Sequence, residues 1–528
     1  MKLFYWLYSC FFASLIFGID HMRNVLSEPE QSGEQYYSMS TPGLVSLLEL
    51  EFKFISNMND YANALEQKLQ VLRSALNAMD VERAKAQLDK MQYVSNPINS
   101  FSLIRRLHRD WKKWQVYMEQ PLGKEQMAFF EQHRHNLPTD KDMSAVADAI
   151  HRIQTTYFLE ASDMASGLLN GKQYNTSWNA LDIYTVGKNL YNTGKYKDAI
   201  KWLIEAIEWL KRHQLPAPLG LQMTTVQLDY AQSLIQLEQY SDALELLQSL
   251  HIDESSDPEM LGLKNKTDEI IRNLYQLVST SPNTINNNST TSSPSSYLLG
   301  CRGKFPAHPK LYCKYNKTTT PFLRLAPLKM EVLSLDPYMT LYHDVISLRE
   351  ATEIKELATP ILRPTTVDRN GSNVVSKVRT AKGVWFADDY KEVIQRINER
   401  IADMTGFNLT NSEKIQVISY GVGGHYGVHG DYFEGQADSN LLHDNRIATV
   451  LFYLNDVEQG GATVFPRIKR HVLPRLGDAL LWYNLLPSGE PDLRTRHAAC
   501  PVIVGSKWIF TKWIRVKEQF RIRPCHRD

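Results

Sequence analysis

The chain reads as a multidomain α + β protein, helical first and β-rich last, and three observations carry that expectation. Between Leu48 and Leu76 the apolar residues recur at steps of three and four, the period of one helix face. Between Trp178 and about residue 253 two similar segments follow one another, as in helical repeat proteins. Further on come short runs such as "KIQVISY", "RIATVLFYL" and "KWIFTKWIRV", broken by Gly, Pro, Asn and Asp, which predict antiparallel strands in a barrel or sandwich.

Length and charge bound the rest. A chain of 528 residues is too long for one core. Its 59 Lys+Arg against 58 Asp+Glu leave a net charge of +1, which gives no reason to expect nucleic acid or a polybasic membrane anchor. Residues 1–18 carry one lysine and then an apolar run from Leu3 to Phe17, the pattern of a cleaved secretory signal peptide. That run is short for a membrane span, and no later segment supplies one. Cleavage removes Cys10 and leaves Cys301, Cys313, Cys500 and Cys525, an even set suited to an oxidising compartment. The pairs expected are the local ones, Cys301 with Cys313 and Cys500 with Cys525. Sequons at Asn175, Asn265, Asn287, Asn288, Asn316, Asn370 and Asn408 fit a glycoprotein of the secretory pathway.

Residues 19–150 form the expected N-terminal helical dimerisation region. Thr41 caps a helix with Pro42 at its first position. Leu48, Ile55, Met58, Ala62, Leu65, Leu69, Leu72 and Leu76 then make either a coiled-coil seam or the face of a hairpin packed on residues near 80 to 120. Residues 151–255 hold the repeat. Setting "VGKNLYNTGKYKDAIKWLIEAI" over "YAQSLIQLEQYSDALELLQSLH" places Gly187 on Ala231, Tyr196 on Tyr240 and Ala199 on Ala243, the packing positions of a tetratricopeptide-like domain. Such domains make concave grooves for extended peptides. Tyr196 and Tyr240 fit core positions, while Tyr184, Tyr191 and Tyr230 are candidates to line a groove for stiff, proline-rich peptides. Residues 256–325 form a linker with the disulfide loop, and its stretch "SPNTINNNSTTSSPSS" has the composition of disorder. Residues 326–528 are the β-rich domain.

Within "YGVGGHYGVHGDYFE", Tyr420 to Glu434, His429 and Asp431 stand two apart and share one face of an extended strand. His497 opens another β-run, "TRHAACPVIVGSKWIF". Two histidines and a carboxylate from separate strands make the facial triad of non-heme Fe(II) oxygenases, which leaves coordination positions open for chemistry. Lys507 shares a strand face with Ile509 and Thr511, and a lysine pointing into a barrel needs an anion. The distal carboxylate of 2-oxoglutarate would serve. The glycines are expected to let the strand bend at the site's rim, and His425 and Tyr432 to be structural.

These motifs, with "NPINSFSLIRRL", "DNRIATVLFYL" and "GGATVFP", are similar to those of collagen prolyl 4-hydroxylase α subunits, Fe(II)/2-oxoglutarate dioxygenases of the endoplasmic reticulum lumen. The resemblance covers nearly the whole mature chain. It implies a C-terminal double-stranded β-helix (jelly-roll) catalytic domain, with His429, Asp431 and His497 on Fe(II), Lys507 on 2-oxoglutarate, and Tyr420 and Thr449 lining the co-substrate pocket. The implied reaction hydroxylates proline at C4 in collagen-like Xaa-Pro-Gly peptides, consuming O2 and converting 2-oxoglutarate to succinate, with L-ascorbate rescuing oxidised iron. The resemblance also implies protein disulfide isomerase as β subunit of an α2β2 hetero-tetramer, which would keep in the endoplasmic reticulum a chain whose tail, "RPCHRD", lacks a retrieval signal. Three positions depart from the family. Gly430 stands where an aromatic is usual, His425 replaces a glutamine, and Arg515 replaces a histidine thought to help position the co-substrate. The alternatives are a prolyl hydroxylase of a non-collagen secreted protein and a non-catalytic chaperone for proline-rich peptides. Lysyl hydroxylases fit less well, since they usually place arginine at the position of Lys507 and lack the repeats.

Overall fold

The computed structural model describes residues 36–217, 219–249, 262, 265, 267–275, 294–306, 312–369, 372–434 and 444–522. The expected signal peptide, most of the Ser/Thr/Asn-rich linker and Cys525 lie outside the described residues.

Helix α1 (Thr41–Leu88) runs for 48 residues and buries none of them. It starts with Pro42 in the first turn, where a missing N–H costs nothing, and its N-cap is Ser40 rather than Thr41. One stripe packs within the chain, on helix α2 (Lys124–His133) and the residues before it. The Phe54 ring lies 5.4 and 4.7 Å from those of Phe129 and Phe130. Asn57 donates to the Gln126 carbonyl at 3.2 Å, and Lys68 Nζ donates to the carbonyls of Met118 and Gln120 at 3.1 and 2.8 Å. The hairpin partner therefore runs from Tyr117 to His133, overlapping only the end of the expected 80 to 120, and it takes a different stripe from the expected one. Leu48, Ile55, Met58, Leu65, Leu69 and Leu76 stay 44–67% exposed.

Helix α3 (Asp140–Tyr157) begins with a capping box between Thr139 and Asp142, which satisfies two orphan backbone donors. Two helix pairs follow, α4 (Ala180–Asn192) with α5 (Tyr196–Arg212), then α6 (Met223–Gln236) with α7 (Tyr240–Gln248). Helix α5 buries Ala199, Trp202, Leu203, Ala206 and Ile207, the three-and-four spacing of one face. At Gly187 a Cβ would sit 3.1 Å from the Leu203 side chain and 3.2 Å from that of Trp202, so the small residue lets α4 and α5 close. Ala199, Ala231 and Ala243 are fully buried, as the aligned repeat requires.

The second half is built on two antiparallel sheets. Its strands are β1 (Cys313–Asn316), β2 (Leu328–Leu335), β3 (Tyr338–His343), β4 (Arg363–Pro364), β5 (Lys382–Phe386), β6 (Ile415–Tyr420), β7 (Tyr426–His429), β8 (Arg446–Tyr453), β9 (Thr463–Phe465), β10 (Arg470–Val472), β11 (Ala479–Tyr483), β12 (His497–Ala499) and β13 (Lys507–Arg515). The larger sheet has the order β1-β2-β3-β11-β8-β13-β6-β5-β4, and the smaller β7-β12-β9-β10. Strands β6, β8 and β13 are covered on both faces. Val417, Val450 and Phe510 pack toward helices α9 (Leu348–Ala358) and α10 (Glu392–Thr405), whereas Ile418, Tyr420, Leu451, Tyr453 and Ile509 share a core with Phe465, Val472 and Ala499 of the smaller sheet. Double burial explains why these strands read as nearly continuous apolar runs.

The cysteine pairing differs from expectation. Cys301, at the end of helix α8 (Ser296–Cys301), is bonded to Cys500, with 5.6 Å between their Cα atoms; Cys313 is exposed and bonded to no cysteine among the described residues. Cys301 is buried among residues of α3, α4 and α5, of the smaller sheet (Val464 and Ala498) and of its flanks (Ala462 and Ile503). That packing, not closeness in sequence, selects its partner. The sequon at Asn316 is also explained differently. Its side chain is buried and donates to the Met404 carbonyl at 3.3 Å, a structural role that leaves no room for a glycan.

Candidate active site

The site lies between the two sheets, where β7 and β12 pair and His429 faces His497 directly across the strands. Asp431 follows β7. Its Oδ1 lies 3.6 Å from His429 Nε2 and its Oδ2 3.7 Å from His497 Nε2, and one ligand atom from each residue falls within 4.8 Å of the others. Among the described residues this is the one such group. His429 Nδ1 donates to the Gly427 carbonyl at 2.8 Å, and His497 Nδ1 to that of Thr495 at 3.1 Å. Those bonds fix the tautomer and turn both Nε2 lone pairs toward the carboxylate, as in protein metal sites. Burial lowers the pKa of His429 to about 3 and also lowers that of His497. Burial alone would raise Asp431, but His497, His429 and Arg446 outweigh it and hold the carboxyl below its usual value. The donor set is thus two neutral imidazoles and one carboxylate, which suits a divalent transition metal.

Thr449 donates to Asp431 Oδ2 at 2.8 Å and accepts from Asn484 at 2.9 Å. The structure thus places Thr449 on the Asp431 carboxylate rather than beside Lys507. Tyr426 stacks on His429 with 3.5 Å between ring centroids, and the Arg379 guanidinium lies 4.8 Å from the Tyr426 ring on its own contact. Neither stood out in the sequence, where isolated aromatic and basic residues carry no spacing signal.

Lys507 is 1% exposed, and its Nζ has a neutral partner, the Thr463 hydroxyl at 3.1 Å. It lies 5.7 Å from the centroids of both Tyr420 and Tyr453, and Tyr420 is its cross-strand neighbour. Burial lowers its pKa to about 7. The contrast with Lys512 on the same strand is instructive, since Lys512 Nζ donates to both oxygens of Asp388 at 2.7 and 2.8 Å. With no carboxylate paired to it among the described residues, the buried ammonium of Lys507 is one that an anion would stabilise. Thr463 was missed in the sequence, although it sits inside "GGATVFP".

The three departures each have a local explanation. A Cβ at Gly430 would come within 2.5 Å of the Tyr432 ring, so Tyr432 fills the space an aromatic at 430 would use. His425 Nδ1 meets the Thr380 hydroxyl at 2.9 Å while the Thr380 N–H donates to the His425 carbonyl at 3.0 Å, a structural pairing. Arg515 is bound to Glu413 at 3.0 Å and to the Asp444 carbonyl at 2.7 Å. Glu413 also holds Arg446, which donates to the Asp431 carbonyl at 3.3 Å.

Away from this site, Tyr191 lines a groove of ≈ 290 Å³ with Gln232, Ile235 and Leu274, and its hydroxyl meets Gln232 at 3.1 Å. The Tyr184 hydroxyl donates to buried Asp229 at 2.8 Å. Tyr230 is half-buried against the core of the helix pairs.

The family described as prolyl 4-hydroxylase alpha-subunit, N-terminal region, matches residues 40–171, and the 2OG-Fe(II) oxygenase superfamily matches residues 415–515. Prolyl 4-hydroxylase subunit alpha-2 of Caenorhabditis elegans is 35% identical, covering 91% of this chain and 92% of that protein. Subunit alpha-2 of Gallus gallus is 33% identical, covering 94% and 96%, and subunit alpha-1 of Homo sapiens 30% identical, covering 94% and 97%. Among solved structures, the viral collagen prolyl hydroxylase of Paramecium Bursaria Chlorella virus-1, in its 2OG complex, is 26% identical, covers 34% of this chain and 96% of its own, and has a TM-score of 0.29. Two family matches in the same chain, with relatives aligned over nearly their full length, make this protein a member of the prolyl 4-hydroxylase α-subunit family and a 2-oxoglutarate-dependent dioxygenase.

Proposed function

We propose that the chain hydroxylates C4 of proline in collagen-like Xaa-Pro-Gly segments of procollagen. The observation that carries this is the adjacency of two kinds of group: His429, Asp431 and His497 gathered at one point, and Lys507 buried nearby with no acid paired to it among the described residues. The first suits Fe(II). The second suits the far carboxylate of 2-oxoglutarate, which Lys507 and Thr463 would bind while the Tyr420 ring walls the pocket. Thr449 steadies the Asp431 carboxylate, and the backbone bonds at Gly427 and Thr495 keep both imidazoles aimed. When bound, iron supplies the oxidation: one oxygen of O2 goes into succinate as CO2 leaves, and the other becomes the hydroxyl on C4. The protein's share is geometry, charge and exclusion of water.

The finer organisation belongs to the same proposal. Residues 1–18 are a signal peptide, 19–150 the dimerisation region, 151–255 a tetratricopeptide-like peptide-binding domain, 256–325 a linker, and 326–528 a double-stranded β-helix catalytic domain. Tyr191, which lines the groove, offers its ring to a proline-rich substrate, with Tyr184 and Tyr230 as the further candidates. The open stripe of α1, centred on Leu65 and Leu69, joins two copies. Protein disulfide isomerase completes an α2β2 tetramer in the endoplasmic reticulum lumen, and L-ascorbate keeps the iron reduced.

The test is mass spectrometry of a panel of proline-rich peptides after incubation with the purified protein, Fe(II) and 2-oxoglutarate. A gain of one oxygen on the proline before glycine, matched by an equal amount of succinate, is expected. Peptide binding without succinate would leave a chaperone, and hydroxylation confined to non-collagen peptides would redirect the substrate.

A further inference from the structure

The glycine-rich run between Tyr420 and His425 turns the chain between β6 and β7, with Gly423 at a φ of +60°, but Gly421 is glycine for a different reason. Gly421 takes an ordinary backbone conformation, since it is absent from the glycines of positive φ. It is glycine for space. A Cβ there would strike the Ser38 carbonyl oxygen and lie 2.9 Å from the Ser40 nitrogen and 3.0 Å from the Met39 carbonyl carbon. The Gly421 N–H donates to the Met39 carbonyl at 3.0 Å. Two residues on, a Cβ at Gly423 would sit 2.8 Å from the Ala149 Cβ, and Arg152 donates to the Gly423 carbonyl at 2.6 Å. The run is a seat for the helical N-terminal region.

What fills the first place in that seat is a short turn, Tyr37–Met39, with Ser40 behind it. Tyr37, Ser38, Met39 and Ser40 are 7%, 8%, 8% and 1% exposed, although α1, which starts at the next residue, buries nothing. The turn is tied down at its other end, where the Tyr37 hydroxyl donates to the Asn136 carbonyl at 2.8 Å and its N–H to Asp142 at 3.4 Å. Below the seat the chain is equally close. Gly424 donates to the Gly421 carbonyl at 2.9 Å, and a Cβ on it would lie 3.0 Å from that of Tyr420. Tyr420 is the cross-strand neighbour of Lys507. An unbroken line of backbone contacts runs from Met39 through Gly421 to the two residues of the pocket.

We propose that residues Tyr37–Ser40 are a positioning element for the co-substrate pocket: seated on Gly421, they hold Tyr420 against Lys507 and so set the affinity for 2-oxoglutarate. This rests on the assignment of that pocket to 2-oxoglutarate. It gives the base of α1 a direct mechanical link to catalysis, with no residue of the segment touching substrate.

The experiment compares four full-length variants by Michaelis constants for 2-oxoglutarate and for a Pro-Pro-Gly repeat peptide, with hydrogen exchange followed over 37–40 and 415–424. Gly421→Ala pushes a methyl into the seat. It is expected to speed exchange over 37–40 and to raise the 2-oxoglutarate constant about tenfold, as a displacement well under 1 Å at a binding wall allows, while the peptide constant stays within about twofold. Gly220→Ala, which points into open space, should change neither. Should Gly421→Ala not fold, Met39→Ala, which removes only a buried side chain of the turn, gives the same reading. Faster exchange over 37–40 with an unchanged 2-oxoglutarate constant would overturn the proposal, and so would equal increases in both constants. Lys507→Ala separates the two levels: if it leaves the 2-oxoglutarate constant unmoved, the pocket assignment itself has failed.

Discussion

Helix α1 spans 48 residues and buries none, while strand β13 spans nine and buries eight. The two are the extremes of this molecule and they spend their side chains in opposite ways. Along α1 it is apolar groups that face water, from Leu48 to Leu76, and a long helix with an uncovered apolar stripe is arranged for association. Along β13 polar groups are enclosed, Lys507 and Lys512 among them, and an enclosed polar group is either fully paired or kept for a ligand. Exposure of the wrong kind points to a partner; burial of the wrong kind points to chemistry.

The sharpest break of that comparison lies at the enclosed end. His429→Ala, His497→Ala or Asp431→Ala should abolish succinate formation, by a factor of about 10³ or more, because each removes a ligand and leaves an open position too many. Each removes little apolar area, so the melting temperature should move by only a few degrees, about what ~1 kcal/mol would give. Turnover retained in a histidine variant with iron bound would disprove the ligand assignment.

Next is Lys507. Removing it should raise the 2-oxoglutarate requirement far more than the peptide requirement, with a loss on the order of 3–5 kcal/mol for breaking a buried charge pair. Its pH dependence has a definite sign. Burial lowers the lysine's pKa to about 7 in the protein without ligand, so the folded state binds fewer protons than the unfolded one between that value and the ordinary lysine range. The contribution of Lys507 to stability therefore rises with pH across that window. Binding a carboxylate needs the ammonium form, so affinity for 2-oxoglutarate should weaken as pH climbs above about 7, with proton uptake on binding. Calorimetry in buffers of different ionisation enthalpy measures that uptake, which Lys507→Ala should remove.

A smaller effect is expected at the disulfide. Its closure joins residues 199 apart, and losing it through Cys301→Ala should cost about 2–4 kcal/mol, read as a lower denaturant midpoint with the slope little changed. The smallest effect on catalysis belongs to the exposed end. Leu65→Glu with Leu69→Glu should split the assembly by light scattering and leave turnover per site within about twofold, since surface changes distant from the site couple weakly. A loss of activity in proportion to dissociation would erase the contrast between the two regions.

How much of this was legible in the sequence follows the same division. The gathering of His429 and Asp431 was readable because strand geometry converts a spacing of two into one face, and the inward turn of Lys507 because it stands two residues from Ile509 on one strand. The repeat was readable from the alanines at 199, 231 and 243. What was not legible depends on contacts between distant segments. Nothing near Cys301 announces Cys500, since the pairing follows from where α8 packs. The packing of α1 was foreseen only in part because two stripes share one helix, and sequence periodicity detects stripes without saying which is covered. The bend read from the glycines of the 420–425 run holds at Gly423, whose φ is +60°, but not at Gly421, because a glycine chosen for a neighbour's backbone looks the same in sequence as one chosen for its own.

One feature of the fold bears on how the molecule comes apart. The core that holds Ile183, Leu190, Trp202 and Leu203 of the helix pairs also holds Ala462, Val464, Ala498 and Ile503 of the β-rich half, with the Tyr157 hydroxyl donating to the Pro501 carbonyl at 2.6 Å across it. A shared core makes the helix pair α4–α5 and the smaller sheet one cooperative unit. They should lose structure in a single transition, while α1, fastened at its root and little buried beyond it, frays separately.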